Sequence, residues 1–140
     1  MNVILDTNIW ISFLIGKRLH SVADIFERSD VQVYVSKELI NELVAVLSRP
    51  KVSRYISTES VEAMWALMRE KCYAIEEYPV ATTDVRDSKD VYLLSMADAI
   101  PADFIVTGDY DLLTLGKYNR TPILSFSDFM RVLSSLVLVK

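Results

Sequence analysis

Asp6, Glu42, Asp90 and Asp109 are the residues of this chain whose type and setting suit them to chemistry, and Asp111 stands close behind the last. Asp6 closes a short apolar run, Asn2 to Leu5, where an unpaired carboxylate beside a core is costly. Asp109 follows another apolar run, Asp103 to Thr107, across Gly108, which lets the backbone turn tightly. Asp90 stands three residues after Asp87 at the start of a predicted helix, whose N-terminus keeps a carboxylate ionised. Glu42 borders the apolar helical stripe of Leu39, Leu43, Val46 and Leu47. Each has a structural alternative: a cap or turn at Asp6, a solvated flank at Glu42, an N-cap and N3 pair at Asp87 and Asp90, and a helix cap at Asp111. Taken together they fit one chemistry. Three or four carboxylates with no histidine or cysteine partner prefer Mg²⁺ or Mn²⁺ to zinc or copper. Such a set can hold one or two ions, activate water and stabilise charge in a phosphodiester displacement.

Other reactive groups are scarce. The single histidine, His20, excludes paired-histidine metal sites and leaves Ser48 and Ser53 with no base nearby in sequence. The single cysteine, Cys72, excludes an intramolecular disulfide and lies on an apolar helical stripe. Trp10 and Trp65 read as core residues. The formal net charge of −4 is unevenly placed: between Asp84 and Asp111, seven aspartates against Arg86 and Lys89 leave that stretch at −5 and the rest of the chain at +1. The low pI therefore points to one acidic patch rather than a uniformly repelling surface, although charge counting alone favours loop and cap aspartates gathered there by chance. Lys17-Arg18 and Arg49-Pro50-Lys51 with Arg54 are available to meet phosphates. With 140 residues, 51% hydrophobic, one domain over 1–140 with a sizeable core is expected. The opening MNVILD lacks a basic n-region and no apolar run is long enough for a bilayer, so a cytoplasmic protein with no membrane contact is expected.

The elements that must position these acids alternate along the chain. Strand Asn2–Leu5 leads to a helix capped by Asn8 and apolar nearly all round, from Ile9 to Ile15; a second helix covers Ser21–Arg28. Strand Val31–Val35 is followed by a helix that Ser36 caps and that ends before Pro50. Val61, Met64, Trp65, Met68 and Cys72 mark a helix from Thr58, then come strand Tyr73–Glu76 and a polar loop to Asp87. A helix over 88–100, strand Asp103–Thr107, a leucine-rich turn, strand Pro122–Leu124 and a helix from Ser127 complete the chain. This alternation is that of a parallel sheet with helices on both faces, whose functional crevice lies beyond the carboxyl ends of the strands. Asp6 and Asp109 should then face the same end. The apolar end of the chain, Ser134 to Val139, is expected to pack on the body or into a homodimer interface.

Four ordered blocks carry a family resemblance: V-I-L-D-T-N-I-W-I-S (3–12), E-L-I-N-E-L-V-A-V-L-S-R-P-K (38–51), R-D-S-K-D-V-Y-L-L (86–94) and A-D-F-I-V-T-G-D-Y-D-L-L (102–113). They resemble the PIN-domain family, and within it the single-domain VapC-like ribonuclease toxins of toxin–antitoxin systems. P-I-L-S-F-S-D-F (122–129) resembles the family's last strand and helix, so the likeness covers essentially the whole chain. The resemblance implies a three-layer α/β/α sandwich with a roughly five-stranded parallel sheet, and a Mg²⁺- or Mn²⁺-dependent endoribonuclease site. It puts the four family acids on Asp6, Glu42, Asp90 and Asp109, with Asp111 auxiliary and with Thr7, Asn8 and Thr107 orienting them. Many relatives carry two adjacent acidic or amide residues at the third block; here the pair is Asp90-Val91, which leaves Asp87 as the neighbouring acid. The implied reaction is in-line attack of water on an RNA phosphate, leaving a 5′-phosphate and a 3′-hydroxyl. The implied partners are RNA, guided by Lys17, Arg18, Lys51 and Arg54, a cognate antitoxin and a second copy of the chain.

Two other folds begin with a strand-end aspartate. A haloacid-dehalogenase-type phosphatase needs a second aspartate where this chain has Asn8. A response-regulator receiver needs a phosphoacceptor aspartate after its third strand, where this chain reads Ile75-Glu76-Glu77-Tyr78. A PIN-type module that binds RNA or an antitoxin without cutting is the remaining alternative.

Overall fold

β-branched and aliphatic runs form short strands and amphipathic stretches form helices, in the order β1 (Asn2–Leu5), α1 (Thr7–Ile15), α2 (Leu19–Phe26), β2 (Gln32–Ser36), α3 (Lys37–Leu47), α4 (Pro50–Ser53), α5 (Thr58–Lys71), β3 (Tyr73–Ile75), α6 (Ser88–Ala99), β4 (Phe104–Val106), α7 (Tyr110–Leu115), β5 (Lys117–Tyr118), β6 (Thr121–Leu124) and α8 (Phe126–Val139). The computed structural model describes residues 1–76, 78 and 88–139, without the side chains of 88, 89 and 137–139. Asp87 and the polar loop before it lie outside the described residues.

The strands form one six-stranded sheet in the order β3-β2-β1-β4-β6-β5, flanked by helices. Every pairing is parallel except β5 with β6. The strand beyond the expected five is the two-residue β5, joined to β6 through Asn119, which takes a left-handed φ of 53°. Asparagine tolerates that conformation better than most side chains. The chain runs outward from β1 through β2 to β3, then α6 carries it back to β4 on the other side of β1. The order therefore reverses between β1 and β4, the topological switch point where such sheets open a crevice.

The core explains why β1 and α1 hold still. Val3, Ile4 and Leu5 are buried, and α1 buries Ile9, Trp10, Ile11, Phe13 and Leu14, so it is enclosed nearly all round. Trp10 stacks on Phe26 of α2 with ring centroids 6.1 Å apart; Trp65 is half-buried against the core. In α8, Phe129 and Leu133 are buried and Leu136 packs on the core, so the described part of the apolar chain end lies on the body. Among the described residues no helix is long and apolar enough to cross a membrane.

One cap differs from expectation. The first helix begins at Thr7, and its N-cap is Asp6, not Asn8. Asn8 turns sideways instead, because the backbone N–H of Gly108 lies within reach of its side-chain oxygen at 2.8 Å.

Candidate active site

The carboxylate of Asp6 sits at the switch point. The Asp6 N–H still belongs to the sheet, donating to the Val106 carbonyl at 2.9 Å, so the side chain emerges where β1 and β4 part. Oδ1 accepts the Thr7 N–H at 2.7 Å. Oδ2 accepts the Thr107 hydroxyl at 2.7 Å and the Asn8 Nδ2–H at 3.1 Å. A further contact from the Thr7 hydroxyl to Oδ1, at 3.3 Å, is long for an O–H···O bond and engages its lone pair weakly. Thr107 therefore acts across the gap between the two strands, and it also accepts the Asp109 N–H at 3.0 Å. Gly108, whose φ is not left-handed, would bring an added Cβ only to 3.4 Å from Asn8 Oδ1, an ordinary contact. The tight turn expected of that glycine is thus not what the backbone requires; its amide is what the site uses.

Burial raises the pKa of Asp6 above the ordinary aspartate value. The Thr107 and Thr7 hydrogen bonds oppose the shift, and the charge of Glu42 adds to it. Glu42 reaches the same region from α3, half-buried on the flank of its helix as the wheel indicates. Its Oε2 accepts the hydroxyl of Tyr92 from α6. Burial first, then Glu42 and Asp6, holds the Tyr92 phenol well above its usual range. One turn earlier on α3, Glu38 accepts the Tyr78 hydroxyl at 2.6 Å, which lowers its pKa. Asp90 is buried in the first turn of α6, a helix that packs on β1, β4 and α3.

The remaining acids divide. Asp109 is the N-cap of α7, its Oδ1 accepting the Asp111 N–H at 2.8 Å; Asp111 is exposed in the first turn and is not the cap. Asp98 accepts the Tyr118 hydroxyl at 2.9 Å, and Asp103 accepts the Asn2 N–H at 2.7 Å. The single acidic patch inferred from charge counting is therefore split. α6, with 12 residues, runs about 18 Å and carries Asp98 and Asp103 to the amino end of the sheet, away from Asp90 and Asp109. Among the described residues no three acids, histidines or cysteines converge closely enough to form a ready-made metal cage.

A sequence model of the PIN domain matches residues 2–111. The chain belongs to the PIN-domain family. No curated protein matches it in sequence at a significant level. In structure it is similar to a chain of the VapBC2 complex from Rickettsia felis, solved bound to a DNA fragment of its promoter, at 14% identity and a TM-score of 0.58; the match covers 90% of this chain and 99% of that one. It also matches a domain of a functionally unknown protein from Methanocaldococcus jannaschii, at 14% identity and a TM-score of 0.49, over 81% of this chain and 82% of that one.

PIN domains are generally metal-dependent nucleases, and the donors of this PIN domain can be tested against that requirement. Asp6 and Glu42 are oxygen donors; burial first, with a smaller share from the Glu42 charge, raises the Asp6 pKa, and a bound cation would offset both. Two carboxylates without a full cage suit Mg²⁺ or Mn²⁺ rather than a caged ion, since Mg²⁺ keeps several waters and takes one or two carboxylates together with substrate phosphates. The donor set fits. The lone cysteine offers no alternative chemistry: burial pushes the Cys72 thiol up to about 12.

The basic residues are only partly gathered. Lys17 lines a cavity of about 460 Å³ with His20, Tyr55, Ser57 and Ser60. Arg54 lies over the Tyr55 ring, 5.6 Å from its centroid, while Lys51 is exposed on α4. Arg18 borders a different groove with Phe126 and Met130. Tyr92 is the residue that sequence reasoning missed. Its partner lies 50 positions away on another helix, so only the α3–α6 packing shows the pair.

Proposed function

We propose that this PIN domain is a Mg²⁺- or Mn²⁺-dependent endoribonuclease and the toxin half of a toxin–antitoxin pair. One observation carries the reading: a buried, multiply hydrogen-bonded Asp6 at the β1/β4 switch point, with Glu42 close enough to raise its pKa. A buried carboxylate beside a second acid is costly as architecture and useful as a cation ligand. Asp6 would hold the cation directly, Glu42, Asp90 and Asp109 would complete its shells, in part through water, and Asp111 would be auxiliary. The bound ion would lower the pKa of water and offset charge on the RNA phosphate. Thr107, Thr7 and Asn8 fix the orientation of Asp6, so its carboxylate does not reorganise as charge develops. Lys17, Lys51 and Arg54, with Arg18 to one side, would attract the RNA backbone. The antitoxin partner is supported by the fold likeness to a chain of a VapBC complex.

The test is cleavage of mixed structured and single-stranded RNAs with Mn²⁺ or Mg²⁺, comparing wild type with identically purified Asp6→Asn and an EDTA control. Metal-dependent cutting by wild type alone is expected. Equal cutting by both proteins would overturn the assignment of Asp6. No cutting by either, with RNA or antitoxin binding retained, would favour a binding module.

A further inference from the structure

We propose that Tyr92 is a positioning residue for the cation site, fixing the Glu42 carboxylate beside Asp6. The inference rests on the metal-dependent reading above. Glutamate is among the side chains that lose most rotamer freedom when ordered, and Glu42 sits half-buried on a helix flank, partly open to water. Left alone, it would favour rotamers turned toward water. Tyr92 opposes that. Its hydroxyl donates to Oε2 of Glu42, and among the described residues no group takes Oε1. The phenol can do so because its position is set by the core. Its ring packs against buried side chains, and the next residues of α6, Leu93, Leu94, Met96 and Ala97, are all buried. A rigid two-torsion side chain on one helix thus orders a flexible acid on another. Such hydrogen-bonding partners of a ligating carboxylate typically change metal affinity roughly 10–100-fold.

Tyr92→Phe removes the hydroxyl and keeps the ring. The measurement is Mn²⁺ binding to the full chain by calorimetry, beside the metal-free melting temperature and the Mn²⁺ dependence of RNA cleavage. The expected result is roughly 10-fold weaker Mn²⁺ binding, with cleavage restored by excess Mn²⁺. In a Glu42→Gln background the same substitution should have no further effect on Mn²⁺ binding, which a general loss of packing would not reproduce. Wild type and Tyr92→Phe binding Mn²⁺ equally would overturn the inference and leave the nuclease reading standing. A lower melting temperature with unchanged Mn²⁺ affinity would also overturn it, assigning Tyr92 to structure alone. Wild type that neither binds Mn²⁺ nor cuts RNA would overturn both.

Discussion

At the end of β1 the Asp6 carboxylate is buried and takes hydrogen bonds on both oxygens, whereas at the end of the neighbouring β4 the Asp109 carboxylate is half-buried and caps α7 through one oxygen. Both lie just past the carboxyl ends of adjacent parallel strands, Asp6 directly after β1 and Asp109 two residues beyond Thr107, which is level with Asp6 in the register. Their local energetics differ in kind. An aspartate N-cap stabilises its helix by about 1 kcal/mol, which accounts for Asp109 without any ligand. Asp6 caps α1 as well, through the Thr7 N–H, but a gain of that size is set against the desolvation of a buried carboxylate, and four donors are gathered from Thr7, Asn8 and Thr107 to offset it. Position at a strand end therefore says where a site can be, and the cost of burial says which residue the site was built around.

Conservative amides separate the two roles most sharply. Asp6→Asn should lower metal-dependent RNA cleavage by more than the roughly 10–100-fold expected from losing an orienting partner, since it removes a ligand itself. Asp109→Asn keeps the cap, because asparagine caps as well as aspartate. Its melting temperature should match wild type, while cleavage should fall roughly 10-fold if its other oxygen meets the cation. An Asp109→Asn protein that cuts RNA like wild type would restrict Asp109 to capping and widen the contrast with Asp6.

The next test moves from the acid to its support. Thr107→Val keeps shape and removes the hydroxyl that bonds Asp6 Oδ2 and receives the Asp109 N–H. Thr107 is fully buried, and a hydrogen bond to a charged group is worth about 2 kcal/mol, so urea unfolding should register a loss of that order. Cleavage should fall with it. Unchanged stability would mean that the bridge between the strand ends contributes little.

Much of this arrangement is legible from residue order, and the parts that are not share a cause. The alternation of apolar runs and helical stripes yields the parallel sheet, and the strand-end rule puts Asp6 and Asp109 at one end, because both follow from local pattern. The cap on α1 misleads because Asn8 can cap a helix in isolation; only the approach of Gly108, a hundred residues on, redirects it. The charge count misleads for a similar reason. Aspartates within one stretch of sequence are carried to opposite ends of the sheet by α6. β5 escapes because a two-residue strand has no period. Tyr92 and Glu42 meet only through the packing of two helices.

A smaller effect follows from the burial of Asp6. Its folded pKa lies above the unfolded value, so the folded state binds more protons between the two. The Asp6 contribution to stability is accordingly present at pH below the ordinary aspartate pKa and is lost as pH rises through the raised one. In EDTA, wild type should lose stability relative to Asp6→Asn across that window and run parallel to it above. Denaturant midpoints at a series of pH values measure this. A flat difference would mean the carboxylate is not desolvated, and would erase the distinction from Asp109. Saturating Mn²⁺ should reverse the sign at neutral pH, stabilising wild type but not Asp6→Asn.

The smallest effect tests whether the other end of α1 serves RNA at all. Lys17 closes that helix with a left-handed φ of 54°, one residue after Gly16, in a conformation that glycine adopts without strain. A lysine at this position is mildly unfavourable for the fold, as a buried carboxylate is at Asp6, though by far less. Lys17→Gly should stabilise the protein by up to about 1 kcal/mol in urea unfolding. If the lysine serves the RNA backbone, the same variant should weaken RNA binding by Asp6→Asn protein and flatten its salt dependence by about one phosphate contact. Gain in stability with no change in the salt slope would leave Lys17 a surface residue in a strained turn, and the cavity beside His20 and Tyr55 without a part in RNA binding.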